Sequence, residues 1–160
     1  MERLNMDLTN QTAPEFSLEA HDGTRVSLSD YKGKYIVLYF YPKDMTPGCT
    51  TQACDFRDAL PALNDTGVVV LGVSPDSVDR HVKFVQKHDL PFLLIADPEK
   101  QAAEKYGVWQ LKKNFGKEYM GIVRSTFVIS PEGEILKEWR NVRVKNHVAD
   151  VQAFIESVQK

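Results

Sequence analysis

Two stretches of the chain are continuously apolar and rich in β-branched and aromatic residues. They cover residues 35–41 and 67–73, and a run of this kind predicts a strand that is covered on both faces within a mainly parallel sheet. Apolar residues between the two stretches recur at helical spacing, and Pro61 is expected to kink or end that helix near its last turn. The pattern therefore predicts a βαβ unit.

Helical and strand patterns alternate through the middle of the chain. Residues 77–88 carry valines on one helical face, and Pro91 then opens a short apolar strand over 92–95. A short helix is predicted over 99–106, and apolar positions from Val148 onward recur every three or four residues, as in a closing helix. These segments add a second crossover to the βαβ unit and a helix at the end of the chain.

Two further pairs of short strands are separated by turn-forming residues. Residues 16–18 and 25–28 flank the sequence His-Asp-Gly-Thr, and residues 125–129 and 134–140 flank Pro-Glu-Gly, which predicts a β-hairpin at each place. The second hairpin makes the central sheet mixed. The order of elements predicts an α/β domain of three layers, with helices on both faces of the sheet and a β-hairpin near the N-terminus.

The composition matches one globular domain over residues 1–160, because the chain of 160 residues is 42% hydrophobic and 26% charged. A domain of this size buries a core without disulfide or metal staples. Residues 1–13 are polar, lack the apolar run of a secretory signal, and are expected to form a loose lead-in. The longest apolar stretch falls far short of the ~20 residues of a membrane span. We expect a cytoplasmic protein, in a reducing compartment that disfavours permanent disulfides.

Basic and acidic residues almost balance along the chain. Twenty Lys and Arg against 22 Asp and Glu give a net charge of −2, so no positive excess drives binding to nucleic acid or to an anionic membrane. The basic tract over 112–117 is interpreted as a solvated loop. The histidines lack the spacing of metal ligands, so no metal site is expected, and His81 and His88 are expected on the solvated face of their helix.

The residues with the most chemical content directly follow the strand over 35–41, at the carboxyl end where open α/β sheets bind ligands. Thr46 has the residue type of an N-cap and Pro47 that of the first helical position. This count puts Cys49 in the first helical turn. The unpaired amides and the positive end of the helix dipole favour a thiolate there, and thiolate is the reactive form of cysteine.

Cys54, the second of the two cysteines, lies five residues after Cys49. In an intact helix this spacing separates the two Cα atoms by roughly 8.6 Å, whereas a disulfide needs less than about 7 Å. The helix must therefore unwind if the two cysteines form a bond. The spacing alone matches neither a zinc pattern nor the two-residue spacing of thioredoxin-type dithiols, and a buried cysteine often serves only as a small core residue.

The segment that ends just after Cys49 carries a specific motif. From Phe40 it reads Phe-Tyr-Pro-Lys-Asp-Met-Thr-Pro-Gly-Cys-Thr. This run resembles the peroxiredoxins, and more narrowly their bacterioferritin-comigratory-protein or Q-type branch, whose motif Pro-x-x-x-Thr-x-x-Cys is met at Pro42, Thr46 and Cys49. The resemblance covers nearly the whole chain, including Arg-Ser-Thr-Phe-Val-Ile over 124–129. It implies a thioredoxin-like fold and the reduction of hydroperoxides without metal, haem or another cofactor.

The resemblance also implies a role for each motif residue. Cys49 corresponds to the peroxidatic cysteine and Cys54 to the resolving cysteine, and their intramolecular disulfide is reduced by a thioredoxin-like protein. Thr46 would bond the peroxide oxygens and the thiolate, Pro42 would shield the site from water, and Arg124 would hold the thiolate and polarise the peroxide. Donors fixed around the leaving oxygen stabilise its developing charge. The expected partners are a hydroperoxide and this reductant, and relatives in the branch are often monomers.

The chain departs from the family's pattern at two positions. Gln52 stands where many relatives carry Glu, and Ser130 stands where Asp is common. Neither residue is expected to touch the group formed by Thr46, Cys49 and Arg124. A change at residue 52 can still alter how readily the helix unwinds.

Two other functions stay open from the sequence. A general dithiol-disulfide oxidoreductase of the same fold would need a different cysteine spacing and a proline at 124–125, where thioredoxins carry a cis-proline. A non-catalytic, metal-carrying module on a thioredoxin fold would need a shorter cysteine spacing and a histidine in a later loop. The motif at Cys49 therefore favours a thiol-dependent peroxidase over both.

Overall fold

The computed structural model describes residues 7–159, apart from the side chain of residue 114. The strands are β1 Ser17–Glu19, β2 Arg25–Ser27, β3 Tyr35–Phe40, β4 Val68–Ser74, β5 Leu93–Ala96, β6 Trp109–Asn114, β7 Lys117–Ile122, β8 Ser125–Ile129 and β9 Ile135–Arg140. The helices are α1 Pro47–Asp65, α2 Val78–His88, α3 Gln101–Lys105 and α4 His147–Val158, and a short 3₁₀ helix covers Leu28–Tyr31.

A mixed sheet in the order β5-β4-β3-β8-β9 forms the centre of the molecule. Strands β3, β4 and β5 run parallel and are joined through α1 and α2. Strand β8 runs antiparallel to β3 and forms a hairpin with β9. The predicted mixed sheet, both crossovers and the two predicted hairpins are confirmed, since β1 and β2 also pair antiparallel.

Side chains alternate between two cores, one on each face of the sheet. Ile36 and Leu38 of β3 point into the core that holds the β1–β2 hairpin and α3, whereas Val37 and Tyr39 point into the core that holds α1, α2 and α4. Successive side chains of a strand point to opposite faces of the sheet, so a strand that is buried on both faces has a continuously apolar sequence. This arrangement explains the run over 35–41 and confirms the three layers, with helices on both faces.

The N-terminal segment differs from the loose lead-in that the sequence predicts for residues 1–13. Residues 1–6 lie outside the described residues. Leu8 and Ala13 are buried, and the amide of Asn10 donates to the carbonyl of Ile135 at 2.7 Å. Thr12 forms a bridge with Glu134, next to β9 at one edge of the sheet. Ala20 forms a bridge with Ile95 of β5, at the opposite edge. For residues 8–13 the prediction is wrong, because their backbone pairs with the sheet and their apolar side chains fill its core.

Helix α1 is 19 residues long and passes through Pro61 without ending there. Leu60 and Leu63, on either side of the proline in sequence, are both buried. Their packing outweighs the one backbone hydrogen bond that proline removes, and the helix stops at Asp65. Neither α1 nor any other helix within residues 7–159 is long and apolar enough to cross a membrane.

A third hairpin, β6–β7, occupies the tract over 112–117 that the sequence analysis interprets as a solvated loop. Phe115 and Gly116 form its two-residue turn with φ values of 54° and 79°, as in the type I′ turns that suit the twist of a hairpin. The side chain of Phe115 is 97% exposed. The sequence analysis misses this hairpin because most of its side chains face solvent, so no apolar alternation marks its strands.

Candidate active site

The active-site loop, residues 41–46, connects the carboxyl end of β3 to α1. Thr46 is the N-cap of α1, with Pro47 at the first helical position and Cys49 two residues later, as the sequence predicts. The Thr46 side chain makes no capping bond within the described residues, and its hydroxyl donates instead to the carbonyl of Lys43 at 2.8 Å. Pro42 lies half-buried in the same loop. Pro42 and Thr46 thus belong to the loop that leads into the first helical turn.

Cys49 and Arg124 meet because of the register between β3 and β8. Phe40, the last residue of β3, pairs with Ser125, the first residue of β8, so Arg124 lies beside the loop that begins α1. Its Nη2 atom donates to the Cys49 Sγ at 3.4 Å, and the thiol is only 1% exposed. The contact places a fixed positive charge beside the sulfur.

Gly48 gives the guanidinium room to approach the sulfur. A Cβ atom at residue 48 would lie 3.2 Å from the Arg124 Nη2 atom, which is the atom that donates to Cys49. A larger residue at this position would require the guanidinium to shift by a few tenths of an ångström. The Pro-Gly pair before the cysteine therefore serves both to begin the helix and to admit Arg124.

Gln52 belongs to this group, contrary to the expectation that it touches none of the motif residues. It is buried, and its Oε1 atom accepts from Arg124 Nη1 at 2.7 Å. Its Nε2 atom is also buried and finds no hydrogen-bond partner within the described residues. Residues three apart on a helix share a face, so the spacing from Cys49 to Gln52 is the signal that could have revealed the contact.

Cys54 is separated from Cys49 by intact helix. Both thiols are free, Cys49 is buried and Cys54 is half-buried, and α1 is continuous between them. The regular helix keeps the two Cα atoms roughly 8.6 Å apart, beyond the reach of a disulfide. The structure therefore brings Cys49, Arg124 and Gln52 together but holds Cys54 away.

His81 and His88 are more buried in the structure than the solvated helix face predicted for them. His88 is half-buried at the end of α2, but His81 is fully buried and its ring contacts Asp44 of the active-site loop. The buried face of α2 is defined by His81 and Phe84 rather than by its valines, which explains the error. His147 is buried as well, and burial lowers its pKa to about 4. Within residues 7–159, no group of His, Cys, Asp and Glu side chains could hold a metal ion.

Comparison with known proteins gives a consistent result. A model of the AhpC/TSA family matches residues 9–138, and the peroxiredoxin Bcp of Bacillus subtilis is 63% identical over 150 residues, which cover 94% of this chain and 96% of the relative. The chain belongs to the AhpC/TSA family of peroxiredoxins. The peroxiredoxin Bcp of Escherichia coli is 44% identical over 135 residues, covering 84% of this chain and 86% of that protein.

Solved structures support the same assignment for this peroxiredoxin. The bacterioferritin comigratory protein of Xanthomonas campestris, studied for its alkyl peroxide reduction activity, superposes with a TM-score of 0.87 at 39% identity, covering 91% of this chain and 92% of that chain. A structure of peroxiredoxin Q from the same organism gives a TM-score of 0.88 at 38% identity and covers 99% of both chains. The thioredoxin-like fold is confirmed, and the peroxiredoxin is a thiol-dependent peroxidase.

Lys112 is a second cation near the peroxiredoxin's thiol and is not singled out by the sequence analysis. Its Nζ atom donates to the carbonyl of Ile122 at 2.9 Å, two residues before Arg124. Burial and the charge of Arg124 lower the pKa of Lys112, whereas Cys49 acts in the opposite direction. The β6–β7 hairpin thus adds a second positive charge near Cys49 and Arg124.

Proposed function

We propose that Cys49 is the peroxidatic cysteine of this peroxidase. Its thiolate sulfur attacks one oxygen of the hydroperoxide, the O–O bond breaks, and the second oxygen leaves as water or an alcohol after taking up a proton. Cys49 is thereby oxidised to a sulfenic acid. The observation that carries the proposal is the contact between Arg124 Nη2 and the Cys49 Sγ at 3.4 Å.

Arg124, Thr46 and Pro42 surround this reaction in the proposal. Negative charge moves from the sulfur to the leaving oxygen, and a guanidinium next to both stabilises that charge at any physiological pH. The Thr46 hydroxyl, in the turn just before the helix, bonds the peroxide oxygens and the sulfur. Pro42 keeps water from the buried thiol. Gln52 supports these residues by holding Arg124 through its second Nη atom.

Cys54 is proposed to resolve the sulfenic acid. Its thiolate attacks the Cys49 sulfur, the S–O bond breaks, the oxygen takes up a proton and leaves as water, and an intramolecular disulfide forms. A dithiol protein of the thioredoxin type then reduces this disulfide and returns both thiols. Because both cysteines lie in one helix, the cycle needs no second copy of the chain, and we propose a monomer that works in the cytoplasm, where reductants regenerate the thiols.

The test follows hydrogen peroxide consumption in the presence of thioredoxin, thioredoxin reductase and NADPH. Wild-type protein should turn over, whereas Cys49→Ser should reduce the rate to that of the reductant system alone while the circular dichroism spectrum stays unchanged. Cys54→Ser is the matched control, since it removes the other thiol of the same helix. It should also lose turnover, but unlike Cys49→Ser it should still consume about one equivalent of peroxide. Substantial turnover by Cys49→Ser would place the nucleophile elsewhere.

A further inference from the structure

A buried ionisable pair joins the active-site loop to the helix α2. The His81 Nδ1 atom is 2.6 Å from Asp44 Oδ2, and the two residues are 0% and 1% exposed. The Tyr41 hydroxyl donates to the other carboxyl oxygen of Asp44 at 2.6 Å, and the His81 Nε2 atom lies 3.0 Å from the carbonyl of Ile95. The pair thus connects the loop to α2 and to β5.

The hydrogen bonds of the pair satisfy both nitrogens of the imidazole ring. A backbone carbonyl only accepts, so the His81 Nε2 atom donates to Ile95. The Nδ1 atom is bonded to Asp44 Oδ2. Burial and the Asp44 carboxyl raise the pKa of Tyr41 well above its ordinary value, so its hydroxyl remains a donor. Each polar atom of the three side chains is satisfied, which makes complete burial possible.

The backbone of Asp44 is held as firmly as its side chain. Its amide donates to Asp76 Oδ2 at 2.6 Å, and Asp76 is itself held by the Ser74 hydroxyl and by Arg80 Nε. The next residue, Met45, has a φ of 69°, a left-handed conformation that costs free energy for a side chain of this kind. The loop therefore adopts a strained turn between the anchored Asp44 and the N-cap of α1.

We infer that the Asp44–His81 pair is a positioning device for the peroxide reaction. It holds the active-site loop, and with it Pro42 and Thr46, in place around the Cys49 thiol. This inference rests on the roles given to these residues in the proposed function. Thr46 connects the loop to the helix α1, because its carbonyl accepts a hydrogen bond from the amide of residue 50 at 2.8 Å.

Stability alone does not account for a pair of this kind. Removing an aspartate and a histidine from water carries a large desolvation cost, and well-packed apolar side chains of similar volume usually stabilise a fold as well or better. The pair is also placed where accuracy matters, since a shift of a reacting group by about 1 Å can slow a reaction by about 100-fold. A loop that must keep a strained residue close to the reacting sulfur needs such an anchor.

The experiment compares two reactions of Cys49 that differ in their need for the loop. Alkylation by iodoacetamide depends on the thiol and its exposure, whereas reduction of hydrogen peroxide also depends on Thr46 and Pro42. In Asp44→Ala the rate constant for hydrogen peroxide should fall by about 100-fold. The alkylation rate should not fall, because a displaced Pro42 leaves the thiol at least as exposed as in wild type. Asp44→Asn should restore the peroxide rate to within about threefold of wild type, because its amide can donate to the His81 Nδ1 atom and its oxygen accepts from the Tyr41 hydroxyl.

The matched control is Asp79→Ala, which removes an exposed carboxylate from the first turn of α2 and should leave both rates unchanged. Should Asp44→Ala fail to fold, Asp76→Ala removes the backbone anchor of Asp44 and should slow only the peroxide reaction, by about tenfold. Equal loss of both rates in a folded variant, or an unchanged peroxide rate in Asp44→Ala or in Asp76→Ala, would overturn the inference. Wild-type protein that fails to react with peroxide at Cys49 would instead refute the proposed function.

Discussion

The two segments that meet at Cys49 are held in different ways. Before Cys49, the active-site loop is anchored by the buried carboxyl of Asp44, which is hydrogen-bonded to the Tyr41 hydroxyl and to the His81 ring. After it, the first turns of α1 contain the β-branched pair Thr50-Thr51, lack a side-chain cap within the described residues, and leave the Gln52 Nε2 atom buried without a partner there. Each of these features weakens a helix. The comparison suggests that the loop stays in place while the start of α1 opens.

The largest expected effect comes from removing Cys54, because without the disulfide the start of α1 does not need to open. Cys54→Ser cannot form the disulfide, so its turnover with the thioredoxin system should fall to background, although Cys49 still consumes about one equivalent of peroxide. Excess peroxide should then carry Cys49 on to the sulfinic and sulfonic acids. Mass spectrometry of the peroxide-treated variant checks this expectation, with the wild-type disulfide as control. An unmodified Cys49 would contradict it.

Arg124 connects the two segments, and its loss should affect chemistry far more than folding. Arg124→Ala should lower the rate constant with hydrogen peroxide by about 100-fold, because the charge beside the sulfur and the leaving oxygen is gone. The free energy of unfolding should fall by only about 1 kcal/mol for the lost hydrogen bond to Gln52. Stopped-flow kinetics and urea unfolding measure the two effects, and Arg143→Ala, at an exposed site, is the control. A similar peroxide rate in both variants would remove Arg124 from the site.

Amide exchange can observe the opening directly. On oxidation, the amides of residues 50–57 should lose at least about tenfold of their protection, because a disulfide needs that part of α1 to unwind. Strand β3 and the amides of Tyr41 and Asp44, which donate to Val73 and Asp76, should keep theirs. Cys54→Ser treated with peroxide controls for oxidation without a disulfide. Equal protection of α1 in both redox states would leave Cys54 as a core residue.

The smallest expected effect concerns residue 52. Gln52→Glu would pair a carboxylate with Arg124, and a charge-assisted bond stronger by about 1 kcal/mol should slow disulfide formation about fivefold. Gln52→Met removes the bond and should speed that step. A pulse of peroxide followed by acid quenching and mass spectrometry gives the rates. If all three proteins form the disulfide equally fast, this contact does not restrain the helix.

The sequence predicts most of the fold because its buried strands are continuous apolar runs and its helices have a clear period. Strand β3 and helix α4 are examples, and each lies within a few residues of its predicted position. The β6–β7 hairpin is missed because most of its side chains face solvent, so its strands are mostly polar and show no apolar alternation. Its turn also uses Phe115 with Gly116 in place of the usual Asn-Gly.

The site shows the same division between local and long-range signals. Cys49 and its place in the first turn follow from Thr46 and Pro47 alone. The contacts of Arg124 with Gln52, and of His81 with Asp44, join residues 72 and 37 positions apart. Such contacts depend on the register of β8 and on the packing of α2. The helical spacing from Cys49 to Gln52 places these two side chains on one face, but it does not reveal which distant residue meets them.

The N-terminal segment covers part of the outer strands of the central sheet. It crosses the sheet and bonds to both outer strands, through Thr12 beside β9 and Ala20 on β5. Unpaired outer strands are templates on which other chains add and aggregate. The backbone of this segment therefore occupies hydrogen-bonding groups at the start of β9 and on β5 to which the edge of another chain could otherwise add.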